Sequence, residues 1–364
     1  MSTLLLTGAT GMIGREILAR AASDTRFDRV LCLVRPPLDR FTAVRAATGI
    51  GADSHVEAIA GDVTEPGLGI SDAVALDDVV HVIHCAATVA FNHPLEEARR
   101  INVDGTKHLL DVCRRLRALG RLDAVSTCYV AGKRDDVVME SDLDHDRGFH
   151  NTYEQTKYEC EHLLRAAMCE LPIAVHRPSI VVGDSRTGKT ASWKVLYWPL
   201  KVIARGWLPI VPYDPHGRLD IVPVDFVADA VLALGRDATS VGRTVHLAAG
   251  PRRDATVEEL AEHLSSRLER RKPIRVSPAW WRRVIRPSLM LVPSAALKRT
   301  LETGLVYRPY LELRLRFDTS EADTRLGSAG VRCPAVLDYI DTIVDAAIAS
   351  DFGKRDAAPV GAAE

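Results

Sequence analysis

The chain has 364 residues, 47% of them hydrophobic, and a formal net charge of -1. Such a length supports one large domain or two smaller ones with a substantial core. The near-balanced charge gives no reason to expect nucleic acid as a partner.

The N-terminal MSTLLLTGATG has no basic leader or cleavage pattern and is read as a first strand, with a cytoplasmic location expected. No run approaches the ~18 apolar residues of a membrane span. The richest stretch, 195–211, is interrupted by Lys201 and Arg205. The seven cysteines form no CxxC pair and fit reduced, mostly buried thiols.

In chain order, apolar β-branched runs at 3–6, 30–34, 56–60, 79–85, 123–126, 173–177 and 244–248 predict strands buried on both faces. Helical patterns at 11–23, 94–119, 152–169 and 224–234 separate them. This alternation predicts an α/β fold, a doubly wound parallel sheet of Rossmann type. Residues 184–220, with Trp193, Trp198 and Trp207, and residues 251–350, mainly helical with a strand-like piece at 311–317, break the rhythm. They are expected to form a smaller substrate-binding part. The expected division is 1–250 for the Rossmann-type domain, 251–350 for the substrate-binding part and 351–364 for a disordered tail.

The segment TGATGMIG follows the first strand and opens a helix. Gly8, Gly11 and Gly14 permit a tight turn and close approach to phosphate, with Thr10, Met12 and Ile13 in the same turn. The second strand ends in Arg35 where an NAD-binding unit usually carries a carboxylate, so a 2′-phosphate and hence NADP(H) is expected. Arg45 on the next helix is a second candidate. Asp62 and Val63 end the third strand beside the adenine, and Cys85, Ala86 and Ala87 end the fourth with small side chains that let the cofactor pass.

Tyr153 and Lys157 lie four apart, on one helical face. A nearby ammonium brings a phenol toward working acid–base range. Thr127, after the fifth strand, can hydrogen-bond a substrate oxygen; Ser126 is the alternative. Asn102 could anchor a water relay to Lys157, or merely brace a kink.

Taken together, TGATGMIG, GDV, NVDGT, STCYVAG, YEQTK and HRPSIVVG resemble an extended short-chain dehydrogenase/reductase, in order and spacing. Within that family VIHCAATVAFNHPLEEARRINVDGT, GDVTEPGLGIS, NTYEQTKYECE and DIVPVDFVADA are most similar to the fatty acyl-CoA reductase, or male-sterility-like, group, and the LVR strand end to thioester reductase domains. The resemblance spans about residues 3–235 and departs at Cys85 and Cys128, where small residues such as Ala are common. It implies Thr127, Tyr153 and Lys157 as catalytic positions and Gly8, Gly11, Gly14, Arg35, Asp62, Pro178 and Ile180 as cofactor contacts. It further implies NADPH-dependent reduction of a lipid-like acyl thioester, on coenzyme A or acyl carrier protein, or of an aldehyde.

Two rival readings stand beside it. One is a hydroxysteroid or hydroxy-ketone dehydrogenase or sugar-nucleotide epimerase on the same scaffold; the other is a non-catalytic NADPH-binding sensor. GDSRTGKT at 183–190 satisfies the P-loop pattern, but a dinucleotide turn already occupies the first strand end. His81 and His84 are expected on opposite strand faces, and no metal pattern is present. The basic stretch 267–286, which includes Trp280 and Trp281, has three readings: docking of coenzyme A phosphates or an acidic carrier protein, peripheral membrane contact, or a solvated helix face over core tryptophans. Oligomeric state is not legible.

Overall fold

Seven parallel strands form the central sheet of the computed structural model: β1 (Thr3–Thr7), β2 (Arg29–Val34), β3 (Val56–Ala60), β4 (Val79–His84), β5 (Arg121–Val125), β6 (Ile173–Pro178) and β7 (Thr244–Leu247). The structure describes residues 1–354 apart from 52–53, 194–195, 207–209, 293, 296–297, 299–300, 303 and 306–307. The sheet order is β7-β6-β5-β4-β1-β2-β3, and every neighbouring pair runs parallel. Chain direction across the sheet therefore reverses between β1 and β4. That reversal opens a crevice at the carboxyl ends of the strands.

Alternation along each strand feeds two apolar layers. Leu4 and Leu6 point to one face with Val30 and Cys32, against Ile17 and Leu18 of α1 (Met12–Ala21), Phe41 of α2 (Asp39–Thr48) and Val231 of the 224–234 helix. Leu5, Leu31 and Val82 point to the other, against Leu109 and Leu110 of α3 and Leu164 of α4. Here α3 runs Leu95–Arg99, takes a π turn at Arg100–Asp104 and continues Gly105–Cys113, and α4 is Thr152–Ala167. The α3 pattern was expected to reach residue 119. It stops at Cys113 because the chain must turn back for Gly120 N–H to donate to Val80 O at the start of β5.

Over the sheet lie α5 (Tyr197–Arg205), α6 (Val224–Leu234), α7 (Val257–Arg267), α8 (Ser320–Ser328) and α9 (Val336–Ala349). Segments from the two irregular regions pair directly: Ile210–Pro212 with Ile274–Val276, and Arg218–Leu219 with Ala255–Thr256. Trp207 lies outside the described residues. The strand-like run 311–317 is a strand only at Arg316–Phe317, paired with Val137–Val138. Its start closes a 3-10 turn, Arg308–Leu311, because Tyr310 turns inward to a buried aromatic group. Phe352 N–H donates to Ala347 O at 2.7 Å, and the Phe352 ring packs on the core beneath Lys201. Residues 355–364 lie outside the described residues.

Candidate functional site

The glycine turn sits at the crevice. Gly8 has φ +75°, and a Cβ there would stand 2.7 Å from Ala86 N. A Cβ on Gly14 would overlap the Gly8 carbonyl oxygen. Only glycine fits either place. Gly11 caps α1 without a side-chain bond, which leaves the first-turn N–H groups beside Thr10, Met12 and Ile13 to face an anion. The fourth strand is stitched to this turn: Thr7 Oγ1 and His84 Nδ1 share a hydrogen bond of 2.8 Å, Cys85 N–H donates to Thr7 O, and Ala86 N–H to Thr7 Oγ1. Burial, with Lys157 nearby, pulls His84 down to about 3, so its ring is neutral. Cys85, Ala86 and Ala87 form the half-buried floor that follows.

Further along the edge, Arg35 is exposed directly after β2. Arg45 is turned away from it; its guanidinium binds the Gly51 carbonyl and Ser54 Oγ. Asp62 accepts from Thr64 N–H and Oγ1 through Oδ1 at 2.9 and 3.0 Å, and Val63 packs on Gly105. Pro178 ends β6, and its carbonyl accepts from Thr127 Oγ1 at 3.3 Å; Ile180 is buried two residues on.

Asn151 starts α4, its Oδ1 accepting from Glu154 N–H at 3.0 Å. Tyr153 thus falls in the first turn and Lys157 one turn deeper. Lys157 Nζ is buried and donates to Val125 O at 2.8 Å. Burial holds its ammonium below the ordinary lysine range. Burial also raises the Tyr153 phenol, and the Thr127 hydroxyl facing it pulls the other way. Ser126 Oγ instead donates to Glu161 Oε2 at 3.0 Å, within the fully buried Glu161–Arg177 pair. Asn102 lies in the π turn. Its side chain accepts from Thr88 N–H at 2.8 Å and donates to Thr88 O and Thr156 Oγ1. Those bonds brace the 85–90 loop against α4; none of them reaches Lys157.

Three further residues stand at this site without having been singled out by the sequence. Phe91 lies 5.9 Å from the Tyr153 ring, and Tyr310 stacks on Phe91 at 5.7 Å. Tyr310 hydroxyl donates to Glu154 Oε1 at 2.7 Å and accepts from Asn151 Nδ2 at 2.8 Å. Glu154 is fully buried, and burial pushes its carboxyl up to about 7. Within YEQTK, Glu154 reads as filler between Tyr153 and Lys157; only its place in the first turn of an asparagine-capped helix hinted at a structural use.

The family model described as male sterility protein matches residues 6–231. The chain belongs to the male sterility protein family. Among similar proteins, this family member is 27% identical over 278 residues to the fatty acyl-CoA reductase wat of Drosophila melanogaster, covering 64% of this chain and 54% of that one. It is 30% identical over 285 residues to the nonribosomal peptide synthetase asaC of Aspergillus flavus, covering 70% of this chain and 27% of the synthetase. The chain thus spans about half of the first relative and about a quarter of the second. The crystal structure of the terminal R domain from the myxalamid PKS-NRPS pathway superposes with a TM-score of 0.82 at 26% identity, covering 97% of this chain and 92% of that one. A nicotinamide dinucleotide is the cofactor that the family implies, and the Gly8–Gly14 cradle, which a Cβ would fill, fits its pyrophosphate.

Other motifs of this male sterility family member fall elsewhere. In the P-loop-like segment, Asp184 Oδ1 accepts from the N–H groups of Arg186 and Thr187, which would otherwise face a phosphate. A Cβ on Gly188 would strike α9. His81 bonds Asp123 at 2.6 Å, while His84 bonds Thr7. Among the described residues no group of His, Cys, Asp or Glu could hold a metal, and no helix is long and apolar enough to cross a membrane. In the basic stretch Trp281 is core and Trp280 is exposed. Arg267 and Lys272 pair with Asp345 and Glu258, whereas Arg270, Arg271, Arg275 and Arg283 are exposed.

Proposed function

We propose that this protein is an NADPH-dependent reductase of an acyl thioester or aldehyde, with Tyr153 as proton donor. The observation that carries the proposal is the convergence of Tyr153 and Thr127 over buried Lys157, at the strand edge that also holds the glycine cradle. The names of the Drosophila and Aspergillus relatives, a fatty acyl-CoA reductase and a nonribosomal peptide synthetase, support a thioester as substrate.

When bound, NADPH supplies hydride to the carbonyl carbon. Thr127 and Tyr153 then donate to the oxygen as negative charge develops there. The Lys157 ammonium favours the phenolate left after proton transfer. Its hydrogen bond to Val125 O anchors the ammonium at the end of β5. With a thioester, the hemithioacetal collapses to aldehyde and free thiol; no cysteine nucleophile is needed. Burial pushes Cys85 up to about 12 and raises Cys128 well above the ordinary thiol range, and neither thiol is a nucleophile at neutral pH. Arg35 supplies the charge for a 2′-phosphate, and Asp62, Val63, Pro178 and Ile180 line the remainder of the cofactor path. Arg45 joins it only if it leaves Gly51 and Ser54. The exposed arginines at 270–283 suit the phosphates of coenzyme A or an acidic carrier protein.

The test is turnover of purified protein with NADPH or NADH against acyl-CoAs and aldehydes. Tyr153→Phe should lower kcat by roughly 10²–10⁴-fold with cofactor affinity kept. Near-normal turnover in that variant would end the proposal. Aldehyde turnover without thioester turnover would remove the thioester half of it.

A further inference from the structure

The first turn of α4 is closed by hydrogen bonds that run in one direction around a ring. Glu154 N–H donates to Asn151 Oδ1 at 3.0 Å, and Asn151 Nδ2 donates to Tyr310 Oη at 2.8 Å. The Tyr310 hydroxyl proton then goes to Glu154 Oε1 at 2.7 Å. His150 N–H occupies the other carboxylate oxygen at 2.8 Å.

The members of this ring fix one another. The Asn151 amide caps the helix only with its oxygen toward Glu154 N–H. Tyr310 Oη, by accepting from the amide nitrogen, holds the amide that way round. A phenol has a single proton to give, and here Glu154 takes it. The turn so held contains Tyr153.

The ring of Tyr310 reaches the same site by a second route. It stacks on Phe91 at 5.7 Å and 26°, and Phe91 lies 5.9 Å from the Tyr153 ring. Its contact with Tyr129 is edge-on, at 5.2 Å and 81°. Tyr129 N–H donates to Thr127 Oγ1 at 3.3 Å, and the Thr127 hydroxyl faces Tyr153. Thr127 and Tyr153 thus stand on different elements, and one buried side chain touches the supports of both. That side chain comes from neither element but from the 3-10 turn Arg308–Leu311.

We propose that Tyr310 is a positioning residue for the Thr127–Tyr153 pair, its hydroxyl fixing the start of α4 and its ring spacing Tyr153 from the Thr127 turn. The proposal rests on the reductase reading for its effect on rate but not for the placement of Tyr153, and the experiment reads the two separately. Tyr310→Phe keeps the ring and removes the hydroxyl. Since a misplacement of about 1 Å can cost on the order of 10²-fold, kcat with NADPH and octanal should fall roughly 10- to 100-fold, with KM for octanal and Kd for NADPH within about twofold. A loss of structure alone would instead lower NADPH-binding capacity in step with kcat. A second readout needs no turnover. In protein with isotope-labelled tyrosine rings, the Tyr153 NMR resonance, identified by its absence in Tyr153→Phe, should shift and broaden in Tyr310→Phe. Asn151→Ser retains a helix cap but lacks the amide nitrogen that meets Tyr310, and should reproduce both effects if Tyr310→Phe misfolds. An unmoved Tyr153 resonance in a folded variant, an unchanged kcat, or a loss of kcat matched by lost binding capacity would overturn the positioning role. A shifted resonance in a protein that reduces no carbonyl would keep that role and sink the reductase.

Discussion

Glu154 is the residue whose environment departs furthest from what its neighbours in sequence suggest. Both carboxylate oxygens are used, one by Tyr310 hydroxyl and the other by His150 N–H, yet no cation pairs with it among its described hydrogen bonds. Burial raises its pKa to about 7, above an unfolded value near 4.3. The folded state therefore binds more protons between those values, and its stabilising contribution is lost as pH rises through about 7. Glu154→Gln can keep both contacts, because the Tyr310 hydroxyl can accept as well as donate. The variant should lose less thermal stability than the parent between about pH 5 and 7.5, read from melting temperatures across that window. An identical slope would show that Glu154 is ionised throughout. Arg35 offers a second residue-scale expectation: Arg35→Ala should raise KM for NADPH about tenfold, the effect of about 1.4 kcal/mol, and leave KM for NADH nearly unchanged. Tyr153, Lys157 and Arg35 were legible because each sits at a fixed offset from a strand end or helix start. Tyr310 was not, because a partner 156 residues from Glu154 leaves no local pattern.

At the scale of elements, the strands were readable nearly to the residue, since doubly buried strands are continuous apolar runs. Helix ends were less so. The π turn in α3 is the clearest case: NVDGT reads as plain helix, but the extra residue turns Asn102 toward both Thr88 and Thr156. Its side chain does for the 85–90 loop what a strand partner would do. Asn102→Ala leaves Thr88 N–H without its acceptor and should destabilise the protein by about 1–3 kcal/mol, measured by urea unfolding. It should also weaken cofactor binding, because Ala86 and Ala87 lie on the freed loop. Stability lost with cofactor affinity unchanged would show that the loop holds its place without the brace. The 311–317 run misled for the opposite reason: its alternation matches a strand, but the inward pull of Tyr310 and the two-residue partner at 137–138 leave room for only a fragment.

At the scale of the whole molecule, the sheet and the helices above it share buried polar ties as well as apolar contacts. Glu140 accepts from His246 N–H on β7 and from Glu321 and Ala322 N–H at the start of α8. Tyr339 of α9 donates to Ile221 O, and His246 meets Asp318 O. The four described tryptophans, Trp193, Trp198, Trp280 and Trp281, lie outside the seven-stranded sheet. Fluorescence thus reports the upper layer, and far-ultraviolet circular dichroism reports the whole. The two signals should unfold together in the parent protein and separate in Glu140→Ala, which strands three backbone donors, two of them buried. Coincident transitions in that variant would show that apolar packing alone couples the layers.

The Tyr310–Glu154 contact also has a meaning in time. A ribosome making about 5–20 residues per second releases Tyr310 roughly 8–30 seconds after Glu154, which precedes it by 156 residues. Through that interval the helix bearing Tyr153 can form, but its buried acid has neither the hydroxyl nor the aromatic cover that completes it. Five of the seven strands also emerge before Glu154. The nascent chain therefore passes through a stage with a largely built sheet and an unfinished site, its apolar upper face open to chaperones.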